Sequence, residues 1–239
     1  PDVLNSFNRS MALALQAELD KARHDKNIRA VLITGNGKAF CAGQDLSEAI
    51  DASGPGIKNI VEEHYNPIIT RLRHIEKPIV SAVNGVAAGA GANIALACDI
   101  VIASEQASFI QAFSKIGLIP DSGGTYFLPR LIGTQRASAL MMLGDKVSAN
   151  DALQMGMLYK VTSADKLMED ALAIAHKLAA MPTKALAYTK QLIYMSASNN
   201  LEKQLEAEGE LQVKSAATYD YNEGVNAFLE KRPAVFKGE

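Results

Sequence analysis

Met11, Leu15, Leu19 and Ala22 recur three or four residues apart among polar neighbours, the spacing of one apolar helix face. They predict an amphipathic helix from about Asn8 to Asp25, with Asn5 or Ser6 placed to cap it. The period then changes. Ala30-Val31-Leu32-Ile33-Thr34 is a continuous apolar run stopped by Gly35-Asn36-Gly37, as expected of a strand buried on both faces. Pro78 to Val83 ahead of Asn84-Gly85, small residues from Gly89 to Ala97, and the short run Ile100 to Ala103 predict strand, turn, helix, strand. Gly54-Pro55-Gly56 marks a loop tip within Ser47 to Lys58, where no period is evident and a mobile loop is expected.

From Ala149 onward the pattern is mainly helical. Ala171, Ala175 and Leu178, then Leu201, Leu205 and Glu208, keep helical spacing, with a break at Pro182 and an end near Arg232-Pro233. Short buried strands alternating with helices give an α/β class, although periodicity does not choose among parallel architectures.

The net charge of -2, with no long run of one sign, removes the electrostatic reason to expect a nucleic acid or an anionic membrane as partner. A small molecule is the expected partner. Cys41 and Cys98 are isolated in small or apolar surroundings, which suits neither a disulfide framework nor a metal site, so a reducing, cytoplasmic setting is expected. The longest apolar stretches are interrupted by Asn84, Asn93, Asp99 and Ser104, too soon for a membrane span.

Three segments carry candidate chemistry. Lys38 to Leu46 follows the first predicted strand, and loops at strand C-termini are where open α/β sheets bind ligands; its Ala42-Gly43 pair is equally compatible with a tight turn. Asn84 to Asn93 runs from a strand end into a helix start, where small side chains admit a ligand to free amides; close helix packing is the alternative. Its glycines, Gly85, Gly89 and Gly91, miss the dinucleotide-binding spacing. Gly117 to Thr125 contains Asp121 between Pro120 and two glycines, a position that suits a helix cap or turn as well as a catalytic carboxylate.

Taken in order, these segments resemble the crotonase (enoyl-CoA hydratase/isomerase) superfamily. The likeness extends from the opening Pro1-Asp2-Val3-Leu4-Asn5 through Ala42-Gly43-Gln44-Asp45-Leu46, Asn84-Gly85, Cys98-Asp99-Ile100 and Ile119 to Thr125, and on to the closing Glu223 to Arg232. It implies a spiral of ββα turns over residues 1–184, with the family's first strand falling before Pro1, and a helical trimerisation section over 185–239. It also implies homotrimers or dimers of trimers, acyl-CoA thioester substrates, and coenzyme A as part of the substrate rather than as a separate cofactor.

In such proteins the backbone amides at the positions of Gln44 and Ala90 donate to the thioester oxygen. Ala42, Gln44, Asp45 and Leu46 would border the coenzyme, and Phe228 and Lys231 would approach its adenine and phosphate from the same or a neighbouring subunit. Hydratases of the family carry two glutamates at positions that match Asn93 and Phe113, neither of which can act as acid or base for water addition. Asp121 matches an aspartate of the family's dienoyl-CoA isomerases. A single carboxylate can take a proton from one carbon and return it to another.

Within the superfamily, Phe40 to Leu46, Tyr65-Asn66-Pro67, Asn84 to Ala92 and Ala112 to Gly124 are similar to the branch that isomerises ring-1,2-epoxyphenylacetyl-CoA to an oxepin. A shift of a 3-enoyl to a 2-enoyl double bond is the related expectation. A hydratase and a 4-chlorobenzoyl-CoA dehalogenase are alternatives; the latter uses its aspartate as a nucleophile and has a tryptophan beside the aromatic ring, whereas this chain has no Trp and presents Phe113. A nonenzymatic CoA- or RNA-binding scaffold is another, and RNA binding would need a basic face that the charge balance does not suggest. Cys41 reads as packed rather than nucleophilic, and Glu62, Glu63 and His64 as a solvated helix face.

Overall fold

The computed structural model describes all 239 residues. Helix α1 spans Arg9–His24 and buries Ala12, Gln16, Leu19 and Ala22. Its cap is Asn8, whose side chain accepts from the Met11 amide, rather than Asn5 or Ser6. The Asn5 side chain instead donates to the carbonyls of Asn36 and Ala39. Strand β1 (Val31–Thr34) is followed by β2 (Ala39–Cys41), a strand too short to leave a period in the sequence. The loop bearing Gln44 therefore follows β2, not β1.

The next segment is not an irregular loop throughout. It forms α2 (Leu46–Ile50), α3 (Gly56–Asn59), a π-helical turn at Ile60–Tyr65, and α4 (Asn66–His74). His64 is buried on that turn, contrary to its reading as part of a solvated face. Then come β3 (Ile79–Val83), β4 (Val86–Ala88), α5 (Ala90–Leu96), β5 (Ile100–Ser104), β6 (Ser108–Ile110), a 3-10 turn at Ala112–Ile116 and α6 (Gly124–Ile132). The remaining elements are α7 (Thr134–Leu143), β7 (Lys146–Ser148), α8 (Ala149–Met155), β8 (Lys160–Thr162), α9 (Leu167–Ala180), α10 (Thr183–Met195), α11 (Leu201–Ala216) and α12 (Tyr219–Glu230).

Through β6, successive strands alternate between two sheets, one ordered β1-β3-β5-β8 and the other β2-β4-β6-β7. All pairings are parallel except β6 with β7. Each of the first three turns of chain (β1-β2, β3-β4, β5-β6) thus deposits one strand in each sheet before a helix, which is the spiral of ββα turns. Central β3 is buried at every residue, whereas β1 lies at a sheet edge, so Val31, Leu32 and Ile33 are only half-buried. This corrects the expectation that β1 is covered on both faces. Helix α9 packs on β1, β3 and β5, and α10 to α12 continue the helical C-terminal section.

A part-buried ionic knot joins that section to the spiral. On α10, Lys190 Nζ donates to Asp99 Oδ2 at 2.8 Å, to the Leu72 carbonyl at 2.7 Å and to the Lys77 carbonyl at 3.3 Å. Asp99 Oδ2 also accepts from the Ile79 amide at 2.9 Å, while Arg73 Nη1 reaches Oδ1 at 3.4 Å. Burial holds the Lys190 ammonium below its ordinary pKa even with Asp99 beside it.

Candidate active site

Consecutive turns of the β2-β4-β6 sheet bring the first two candidate segments together. Ala39 pairs with Val86 and Ala87 with Phe109, so the chain leaving β2 runs beside the chain leaving β4. The contact is too close for side chains at two points. A Cβ on Gly91 would strike the Cys41 carbonyl and lie 2.7 Å from Cys41 Sγ, and one on Gly43 would lie 3.0 Å from the Ala88 carbonyl oxygen and 3.7 Å from the Ala90 nitrogen.

This approach leaves two backbone donors facing one space. A trans peptide is planar, with its C=O and N–H pointing in opposite directions. The Gly43 carbonyl accepts from the Phe7 amide at 2.7 Å, so the Gln44 N–H of the same peptide points away from Phe7. The Gly89 carbonyl accepts from the Asn93 amide at 3.1 Å as the first helical bond of α5, so the Ala90 N–H points out of the helix start. Neither the Gln44 nor the Ala90 N–H has an acceptor within the protein.

The space they face is a cavity of about 180 Å³ whose walls include Ala42, Leu46, Tyr65, Phe113 and Asp121. Asp121 sits in the turn before α6. Its carbonyl accepts from the Gly124 amide and from Asn93 Nδ2, both at 2.9 Å, and Ser122 Oγ donates to its carboxylate at 2.9 Å. The cap of α6 is Gly123 and no side chain caps the helix, so Asp121 is not held there as a cap. Burial without a cationic partner pushes its carboxyl up to about 6, partly offset by the Ser122 hydroxyl.

Because the folded protein holds this proton more tightly than the unfolded chain, the contribution to stability is complete below pH ~4 and is lost as pH rises through about 6. Keeping the group ionised in the fold then costs about 3 kcal/mol. Asp121→Asn is accordingly expected to stabilise the protein by about 1–3 kcal/mol at pH 8 and by little at pH 4. Urea midpoints of the two proteins at both pH values test this, and equal midpoints at pH 8 would contradict it.

The other candidates fall elsewhere. Asn93 is buried behind the cavity wall, where Oδ1 accepts from Gln111 Nε2 at 2.8 Å and Nδ2 holds the Asp121 carbonyl. The Asp45 carboxylate caps α2 by accepting from the Ser47 amide and hydroxyl, which lowers its pKa, and the Asp45 N–H is engaged by Phe7. Cys41 is buried and its thiol is pushed up to about 11, which suits packing rather than nucleophilic attack. Phe228, 83% exposed on α12, lies with Leu229 in a separate apolar groove, and Lys231 ends that helix; neither lines the cavity within one chain.

Tyr65 is a cavity residue that reading the sequence for chemistry missed. It is fully buried, its hydroxyl donates to Gln44 Oε1 at 2.9 Å, and burial raises its phenol pKa. No cluster of His, Cys, Asp or Glu is arranged to hold a metal ion, and no helix is long and apolar enough to cross a membrane.

Two amides converging on an apolar cavity with one poorly solvated carboxylate can stabilise an oxyanion and move a proton. The enoyl-CoA hydratase/isomerase family profile matches residues 1–239. A 1,2-epoxyphenylacetyl-CoA isomerase of Escherichia coli K12 is 46% identical over 242 residues, covering 100% of this chain and 92% of the relative. A trans-2-decenoyl-(acyl-carrier-protein) isomerase of Streptococcus mutans is 37% identical over 242 residues, with the same coverages. The crystal structure of an enoyl-CoA hydratase from Bacillus anthracis superposes with a TM-score of 0.92 at 34% identity, covering 100% of this chain and 92% of that one. Sequence and backbone agree over the full length, and the chain belongs to the enoyl-CoA hydratase/isomerase family, the crotonase superfamily.

Proposed function

We propose that the protein is an isomerase of CoA thioesters, converting 1,2-epoxyphenylacetyl-CoA to an oxepin-CoA, shifting 3-enoyl to 2-enoyl double bonds, or both. The observation that carries this reading is the solitary carboxylate of Asp121 in an apolar cavity shared with the Gln44 and Ala90 amides. In the double-bond shift, the Asp121 carboxylate takes a proton from the carbon next to the thioester. The electron pair moves onto the thioester oxygen, which the two amides hold. The protonated carboxyl then returns the proton to the far end of the dienolate, leaving the substrate's formula unchanged. Each well-placed donor in such a site is worth about 3 kcal/mol to the charged intermediate. In the epoxide reaction the carbon–carbon bond shared by the epoxide and the six-membered ring breaks as the seven-membered ring forms, and the proton follows the same path, taken from the carbon next to the thioester and returned to a ring carbon.

The similarity to the epoxyphenylacetyl-CoA isomerase supports this substrate class. Names of hydratases among the relatives raise water addition as the second reading. Against it, Asp121 is the single carboxylate lining the cavity, and Phe113 occupies wall where a second acid or base would be needed. Coenzyme A enters as part of the substrate, with no further cofactor or metal in this mechanism. The proposed assembly is a homotrimer or a dimer of trimers in the cytoplasm, with residues 185–239 as the association section.

A product-resolved assay with 1,2-epoxyphenylacetyl-CoA, a 3-enoyl-CoA and crotonyl-CoA tests the reading. Turnover of one or both of the first two is expected, with negligible hydration of crotonyl-CoA. Hydration as fast as either isomerisation would overturn the proposal in favour of the second reading.

A further inference from the structure

Three residues form a closed circuit around the Gln44 amide. The Phe7 backbone brackets Gln44, its N–H donating to the Gly43 carbonyl at 2.7 Å and its carbonyl accepting from the Asp45 N–H at 2.8 Å. The Phe7 ring meets the Tyr65 ring edge-on, with centroids 5.9 Å apart. Tyr65 closes the circuit by donating its hydroxyl to Gln44 Oε1. A fourth residue fixes the direction of these bonds. Glu48 Oε2 accepts from Gln44 Nε2 at 2.9 Å, and Glu48 Oε1 accepts from the Arg9 amide at 2.9 Å.

An ionised carboxylate only accepts, so the NH2 end of the Gln44 side chain must face Glu48 and the oxygen end must face Tyr65. The tyrosine proton is thereby committed to Gln44. The π-helical turn Ile60–Tyr65 completes the arrangement, with the Asn66 amide bonding back to the Val61 carbonyl and Tyr65 at the end of the turn. Such turns occur often at functional sites.

We infer that Tyr65 and Glu48 are positioning residues for the Gln44 N–H, gripping the Gln44 side chain from two sides so that its amide stays aimed at the thioester oxygen as charge develops. The inference rests on the thioester reading above. A donor worth orders of magnitude in rate when aligned loses much of that worth when its peptide can rock.

The test uses the full-length protein and phenylacetyl-CoA carrying a 13C-labelled thioester carbonyl, which binds without an epoxide to react. Infrared difference spectra of the bound carbonyl are compared for wild type, Tyr65→Phe, Glu48→Gln and the double variant, alongside kcat and KM for the isomerised substrate. The wild-type band is expected to fall in frequency on binding, and each single variant to return part of that shift. The expected kinetic effect is a fall in kcat of about 10-fold with KM within about threefold, short of the 10²- to 10³-fold for deleting an oxyanion donor. The double variant should be about as slow as the slower single variant, because both act on one side chain.

A wild-type shift that persists in both single variants, with kcat within about twofold, would overturn this inference alone. No wild-type shift would overturn it together with the thioester reading. Should Tyr65→Phe fail to fold, Glu48→Gln at its half-buried position supplies the same comparison.

Discussion

Asp121→Asn is expected to leave a folded protein that binds CoA thioesters and to lower kcat for isomerisation by about 10²- to 10⁴-fold, the range for losing a general base. The substitution keeps the shape of the side chain and its capacity to accept from Ser122, and removes the ability to exchange a proton. Dissociation constants for phenylacetyl-CoA measured on both proteins separate binding from chemistry, with a change below about threefold expected. In the proposed mechanism the working form is the carboxylate, so kcat/KM should fall on the acid side with a midpoint of about 6. Undiminished turnover in Asp121→Asn would move the proton transfer to another group. The same variant gains stability at pH 8, so activity and stability should move in opposite directions at one residue.

The largest loss of stability is expected at Asp99. Asp99→Ala strands the buried Lys190 ammonium and the Arg73 guanidinium without their shared carboxylate, and leaves the Ile79 amide without its side-chain acceptor. Breaking a buried pair by removing one partner costs about 3–5 kcal/mol, and the partly exposed Asp99 carboxylate puts this pair toward the lower end of that range. That corresponds to a fall in Tm of about 10 °C for a chain of this size. Scanning calorimetry checks the figure. Asp99→Asn should lose less, because its amide oxygen still accepts from Ile79 or Lys190. A Tm within about 2 °C of wild type in Asp99→Ala would show that the knot carries little of the contact between α10 and the spiral.

Parts of this architecture were legible in the chain and parts were not, for physical reasons. The apolar face of α1 spans several turns, enough to declare its period, and β3 and β5 are buried runs of five residues. By contrast β2, β4 and β6 are three residues long, below the length at which alternation shows, yet they form the sheet that joins the two amide segments. Asp45 was drawn into the candidate set by its motif, whereas its carboxylate serves α2. Asn93 and Asp121 are 28 residues apart, and nothing local announces that one holds the carbonyl of the other. Tyr65 reads as core, since it stands three and seven residues before the buried Ile68 and Leu72, and nothing local announces that its hydroxyl reaches Gln44, 21 residues away. Asp121 itself was ambiguous from local pattern, and the cap and catalytic readings separate only once α6 is seen to begin at Gly124 without a side-chain cap.

The division between backbone and side chain in the cavity has a bearing on descent. In the proposed mechanism the Gln44 and Ala90 donors are main-chain groups, which no substitution at their own positions except proline deletes, whereas the proposed proton carrier is one side chain on a turn two strands beyond Ala90. On that proposal, a lineage built on this scaffold would keep its grip on thioesters through substitutions that abolish or exchange the reaction. New chemistries would then be sampled by codon changes at cavity positions such as Phe113 and Asp121, with the ancestral affinity inherited unchanged.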